Sequence, residues 1–257
     1  IGYTGMSIRG SDGSRINVTI NGVPLNDSES HATYWVDLPD FASSISSIQI
    51  QRGVGTSTNG AGAFGGSINV STKKQSQAPK FKLSNSFGSY GTLKNSISFS
   101  TGRVGKYFEL SGNLSKIYSD GYIDRASSNL KGYFLQGSYD KDRTSIKFIA
   151  FGGHERTYQA WYGLDQETLS NNRKFNYAGM YFNDDGDQFF YDKQEDNYKQ
   201  DHYQLIFNHK INSSWRANLT FHYTHGRGYY EEYNEDQNLS DYLIFDNNSE
   251  VISDLIR

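Results

Sequence analysis

The stretch Trp215-Arg216-Ala217-Asn218-Leu219-Thr220-Phe221-His222-Tyr223-Thr224 alternates apolar and polar residues without a break. In an extended chain successive side chains point to opposite faces, so the odd positions share one face and the even positions the other. That period predicts a strand with one apolar face. Working outward, Tyr203, Leu205 and Phe207 oppose His202, Gln204, Ile206 and Asn208, and Ile146, Phe148 and Ala150 interleave with Ser145, Lys147 and Ile149. Leu135, Gly137 and Tyr139 oppose Phe134, Gln136 and Ser138, and Leu110, Gly112 and Leu114 oppose Glu109, Ser111 and Asn113. Leu93, Ile97 and Phe99 oppose Lys94, Ser96 and Ser98, and Phe81, Leu83 and Phe87 oppose Lys82, Ser84 and Ser86. Each segment is about ten residues long, which is what a tilted strand needs to cross a bilayer.

The connections carry a second signal. The links at 102–106, 140–143 and 210–214 are tight, whereas 119–129, 154–200 and the chain from Tyr229 onward are long. Short turns at one end and long loops at the other describe an outer-membrane barrel, and a soluble sandwich has no reason for that asymmetry. Seven strands leave an open edge that lipid cannot satisfy, so the remaining strands are expected beyond Arg257. Ile1 is no initiator Met, and the alternating run Val251 to Arg257 looks like a strand cut short.

Composition agrees. Of 257 residues, 20 are Tyr and 16 Phe, with 3 Pro and no Cys, which favours strands over helices and excludes disulfides or thiolate sites. The net charge of -3 gives no basic footprint for nucleic acid. No apolar run approaches the roughly 20 residues of a spanning helix. Charge is unevenly placed: residues 155–200 carry a net -4 and 229–257 a net -7, while the strand segments 80–154 and 201–228 together carry +8. Lys82, Lys94, Lys147 and Arg216 fall on the polar strand face, towards a lumen, where they could attract an anionic ligand or pair with whatever fills it.

Residues 1–79 read differently. They are rich in Gly and Ser, with short β-branched runs, among them Ile16 to Ile20 followed directly by the turn pair Asn21-Gly22. Pro39 to Ser44 could hold one helical turn, and Lys73 to Pro79 reads as a polar linker. This is a small mixed α/β domain, so the expected fold is mainly β: domain 1–79, then barrel strands over 80–257, with long loops near 154–200 and 226–257.

Four blocks in this domain come in a telling order: Met6-Ser7-Ile8-Arg9-Gly10, Val18 to Leu25 around Asn21-Gly22, Ile48-Gln49-Ile50-Gln51-Arg52-Gly53, and Asn59 to Lys73 around Gly65-Gly66. Together they resemble the plug of a TonB-dependent outer-membrane receptor. Asn21 stands where that family usually has Asp, Gln49 where it has Glu, Val54 where it has Pro and Asn59 where it has Tyr. The Arg-Gly-Ala-Asn of the starch-type branch is missing.

The resemblance implies a plug inside a large barrel of the 22-stranded type, of which this chain holds the plug, incomplete at its N-terminus, and the first strands. It implies an outer-membrane receptor of a Gram-negative bacterium that binds a scarce ligand, a ferric siderophore or other iron chelate foremost. Energy-driven plug movement, through a TonB-type partner whose contact segment precedes Ile1, then carries the ligand to the periplasm. Cobalamin or oligosaccharide receptors share the architecture, and a non-transporting surface adhesin is the rival from another class. Beyond the ligand, the implied partners are outer-membrane lipids, with no nucleic acid and no cofactor.

By the same resemblance, Arg9 and Arg52 face acidic groups on the barrel wall as a charged lock, with Glu109 one partner by its lumen-facing parity; the alternative is that they satisfy plug carbonyls. His31, Tyr34 and Trp35 sit in a loop that touches ligand in such receptors, though both aromatics could equally pack the plug against the wall. Asn183-Asp184-Asp185-Gly186-Asp187 lacks the spacing and closing Glu of a calcium loop and reads as solvated loop acids. The His residues show no metal-ligand spacing. GxSxG, HExxH, a P-loop and a Cys nucleophile are all missing, so no enzyme is expected.

Overall fold

The computed structural model describes residues 3–54, 63–234 and 242–243. The Asn59 to Gly62 part of the glycine-rich block and the run Val251 to Arg257 lie outside the described residues.

The N-terminal part is a four-stranded sheet of β1 (Ile16–Ile20), β2 (Val23–Pro24), β3 (Ile45–Arg52) and β4 (Gly66–Thr72), in the order β2-β1-β4-β3. Asn21 and Gly22 make the two-residue β1–β2 turn, both at positive φ (54° and 84°), the conformation a hairpin of this length demands. The central pair β1 and β4 runs parallel, from Ile16 opposite Gly66 to Ile20 opposite Val70. A parallel pair needs a crossover, and the segment between β2 and β3 supplies part of it through two 3₁₀ turns, Trp35–Asp37 and Phe41–Ser44. The second falls within the expected helical turn.

Seven further strands form one antiparallel sheet in chain order: β5 (Lys80–Gly88), β6 (Thr92–Ser100), β7 (Phe108–Ser119), β8 (Ser128–Lys141), β9 (Thr144–Tyr158), β12 (Glu195–Lys210) and β13 (Arg216–Glu231). Their outer face is a band of exposed apolar side chains, among them Phe81, Leu83, Phe87, Leu114, Phe148, Leu205 and Phe221. Water would not hold such a face open; a hydrocarbon layer does. The inner face is polar except where it meets the plug.

That exception makes the hydrophobic core. Ile16, Val18, Ile20, Leu38, Phe41, Ile68 and Val70 of the plug pack against Phe134, Ile149 and Phe151 of the wall. Phe41 lies 5.0 Å from Phe151 and 6.1 Å from Phe134, ring centre to ring centre. Burying each of the three wall side chains stabilises the docked plug by about 1.5–3 kcal/mol.

Two expectations need correction. The strands are not uniformly about ten residues: β7 to β9 have 12, 14 and 15 residues, and β12 and β13 have 16 each. The acidic, tyrosine-rich ends that read as loop continue the hydrogen-bonded ladder, Glu195 pairing with Tyr158 and with Glu231. The long link accordingly shrinks to 159–194, and it is structured. Helix α1 (Gln166–Asn171) starts on Asp165, whose carboxylate accepts from the amides of Glu167 and Thr168 at 3.0 and 2.9 Å. A hairpin of β10 (Met180–Phe182) and β11 (Gln188–Phe190) follows, and the acidic run 183–187 is its tip, closed by Asn183 accepting from the Asp185 and Asp187 amides.

Candidate functional site: the seam between plug and wall

The plug docks through polar groups around its apolar centre. Gln136 on β8 is fully buried; its oxygen accepts from Thr72 Oγ1 and its nitrogen donates to the Lys73 carbonyl, each at 3.0 Å. Gln204 on β12 donates to the Ile20 carbonyl (3.3 Å) and accepts from Asn21 Nδ2 (3.4 Å). Asn21 Oδ1 in turn accepts from the Thr72 amide at 3.0 Å. The amide at position 21 thus serves plug and wall at once, and an Asp there could not donate to Gln204.

Backbone approaches backbone at two wall glycines. A Cβ on Gly132 would run into the Pro39 carbonyl, and one on Gly153 into the Asp37 carbonyl. The turn from Trp35 to Ser44 therefore lies directly on β8 and β9. Ser115 Oγ donates to the Pro39 carbonyl at 3.3 Å on the neighbouring strand.

Among the described residues, charge crosses the seam in one ion pair. Lys94 Nζ on β6 lies 2.5 Å from Asp40 Oδ1 on the plug, whose side chain is 2% exposed. Ser43 Oγ and Asn113 Nδ2 also donate to that carboxylate, at 2.6 and 3.4 Å. Of the two roles open to Lys94 on the lumen face, drawing in an anion or pairing with what fills the lumen, the structure shows the second. Lys82 lines the gap between plug and β5–β7, and Arg216 is exposed at the start of β13.

The expected arginine lock is not assembled among the described residues. Arg9 and Arg52 are exposed and form no ion pair there, and neither reaches Glu109. Glu109 is buried, with Oε1 accepting from the Ser76 amide (3.1 Å) and Ser100 Oγ (2.7 Å). It ties the plug-to-barrel linker to the wall through neutral donors, and faces Lys147 electrostatically.

At the long-loop end three carboxyl groups converge. Asp37 of the plug and Glu155 of β9 are 3% and 2% exposed, with Asp196 of β12 near them, and Asp37 Oδ1 and Glu155 Oε2 are buried without a hydrogen-bond partner among the described residues. Burial first, then the charge of Asp196, pushes the Asp37 carboxyl up to about 7. Tyr3 donates to Asp196 and sits 3.5 Å from Glu155, its ring edge-on to Trp161 at 5.1 Å; burial is the main cause of its raised phenol pKa.

Of the loop residues, Tyr34 and Trp35 line a cleft of about 660 Å³ on the plug together with Tyr3 and Met6. Tyr34 is exposed, whereas Trp35 also packs on the core. His31 does not line this cleft; it is exposed in a loop closed by Asp27, which accepts from the Ser30 and Glu29 amides. The Ser30 amide is the main cause holding the Asp27 carboxyl below its usual range.

Sequence reasoning missed Asp40, Gln136, Gln204, Gly132 and Gly153. Gln136, Gln204 and the two glycines do occupy the lumen-facing parity, which was the available signal, but parity does not say which of them meets the plug.

Comparison with known proteins fits this geometry. Residues 2–67 match the family model "TonB-dependent Receptor Plug Domain". No curated protein sequence matches the chain. Among solved structures, the siderophore receptor PiuA from Acinetobacter baumannii aligns with TM-score 0.64 at 13% identity, over 87% of this chain and 31% of its own. The closed form of the ferric-catecholate import receptor Fiu from E. coli aligns with TM-score 0.65 at 15% identity, over 89% and 32%. The ferric yersiniabactin uptake receptor FyuA from Yersinia pestis aligns with TM-score 0.61 at 16% identity, over 89% and 36%. The chain thus spans about a third of the structures it matches. Residues 2–67 thus match the plug domain of TonB-dependent receptors, and the strands that follow have the fold of the first wall strands of such receptor barrels.

Proposed function

We propose that the receptor carrying this chain takes up a ferric siderophore or other iron chelate, released to the periplasm when a TonB-type partner pulls on the plug. The observation that carries this reading is a plug-type domain seated on a receptor-type wall through an apolar centre ringed by an ion pair and a few amide contacts. Support for the ligand class comes from the neighbours, which are named as siderophore, ferric-catecholate and ferric yersiniabactin receptors. Tyr34, Trp35 and, above them, His31 are the plug residues proposed to meet the ligand; Arg9 and Arg52 are proposed to pair with wall carboxylates outside the described strands. The reading assigns the chain no catalysis.

The test is uptake of labelled ferric chelates and of cobalamin by cells with and without the gene, with and without a protonophore. Ferric uptake that needs both gene and energy is the expected result. Loss of cobalamin uptake alone would change the ligand and keep the architecture, and no difference for any cargo would overturn transport.

A further inference from the structure

Near the linker, the plug edge stands off from the wall. Between residues 42–45 and 73–76 of the plug and strands β5 to β7 lies a cavity of about 640 Å³. Lys73, Lys74, Lys80 and Lys82 line it, against the single carboxylate Glu109. Asp40, the other plug acid close by, is neutralised by Lys94. Glu109 has one oxygen occupied by Ser76 and Ser100 and faces the further cation Lys147. The hydroxyl of Ser44, 3% exposed, lines the same cavity and has no hydrogen-bond partner among the described residues. All four lysines are exposed at the rim and Lys73 Nζ donates to the Ser43 carbonyl, but a cleft lined by charges of one sign, beside an unspent hydroxyl donor, raises the local potential for oxyanions. The volume falls in the range of ligand sites rather than packing defects.

We propose that this cavity is an anion-binding compartment in the seam, which holds the oxyanionic groups of the transported ligand after they leave the plug face. The ligand class it fits is a chelate bearing several carboxylate or phenolate oxygens. Neutral vitamins gain nothing from it. The ligand's route rests on the transport reading above; the charge preference of the cavity does not.

The chain has no Cys, so a single introduced thiol reports cleanly within it. Ser98, which lines the cavity, is replaced (Ser98→Cys) in the receptor that carries this chain, in outer-membrane vesicles. An anionic and a cationic methanethiosulfonate reagent are compared, each rate divided by that reagent's rate with a free thiol. The anionic reagent is expected to be favoured about tenfold, in the range that focused fields produce. Lys80→Gln with Lys82→Gln should remove most of that preference, and saturating ferric citrate should slow anionic labelling. If Ser98→Cys assembles poorly, Ser84→Cys on the same cavity wall gives the same comparison. Equal or reversed rates, or a preference untouched by the lysine substitutions, would overturn the proposal even with uptake intact. Failure of ferric uptake with the charge preference present would instead sink the transport reading and leave the compartment standing.

Discussion

Lys94 of the barrel wall lies 2.5 Å from the carboxylate of Asp40 on the plug, so the charged contact across this seam runs from a wall cation to a plug anion. The arginine lock anticipated for Arg9 and Arg52 has the opposite polarity. The difference matters mechanically. Asp40 sits at φ 56° in the turn that rests on β8 and β9, and its carboxylate is almost fully enclosed. Pulling the plug away strips that carboxylate of its cation, a loss that water repays only once the gap has opened.

Lys94→Met should therefore loosen the plug without unfolding the barrel. Charge-assisted bonds to a buried acid are worth about 1.5–3 kcal/mol, and Ser43 and Asn113 retain part of the solvation, so a loss near 2 kcal/mol is expected. Hydrogen exchange in the 35–44 segment of detergent-solubilised receptor reads it. Exchange unchanged within twofold would mean that the pair is ornamental. Asp40→Asn with Lys94→Met should recover much of the loss, because no uncompensated charge remains.

The glycine contacts give a stronger effect. Gly153→Ala drives a methyl group into the Asp37 carbonyl, and Gly132→Ala does the same at Pro39. Overpacking against backbone costs about 1–3 kcal/mol, since neither partner can rotate away. The plug should become protease-sensitive while the barrel keeps its heat-modifiable migration in gels. Gly137→Ala, with nothing within 4 Å of its Cβ, is the matched control and should behave as wild type.

How much of this was legible follows from what each signal encodes. Period two identified the seven wall strands and their inner and outer faces, because burial between lipid and lumen acts on alternate residues. It missed the strand ends at Glu195 and Glu231, where both faces are wet and alternation fades. The turn pair Asn21-Gly22 announced its hairpin, because a two-residue turn demands positive φ at both positions. The seam was not legible: Phe134 and Ile149 sit on the polar-reading face and are buried only because the plug arrives there. Nor does sequence tell Asp40 from any other turn acid until Lys94, far along the chain, is brought beside it.

Asn21 offers a test of such a long-range amide. Asn21→Asp restores the residue usual at this place in plugs, yet here it should destabilise. The carboxylate keeps the bond from the Thr72 amide but loses the one given to Gln204, and it sets a charge beside that group's oxygen. About 1–2 kcal/mol of plug docking should be lost. Adding Gln204→Lys, which supplies a donor, should restore it. A neutral single substitution would show that the Gln204 contact contributes nothing.

The carboxyl cluster makes docking depend on pH. Asp37 titrates at about 7 in the docked plug, raised chiefly by burial, against an ordinary value of 3.8. The docked state therefore holds a proton that the free plug has released between these two values, so docking weakens as pH rises from about 4 to about 7 and then levels off. The slope approaches about 1.4 kcal/mol per pH unit for one group. Protection of the 35–44 segment should fall several-fold between pH 5 and pH 7.5. Asp37→Asn removes the titrating plug group while leaving the shape, so its profile should be clearly shallower over the same range. A wild-type profile as flat as that of the variant would mean that Asp37 stays ionised in the docked plug.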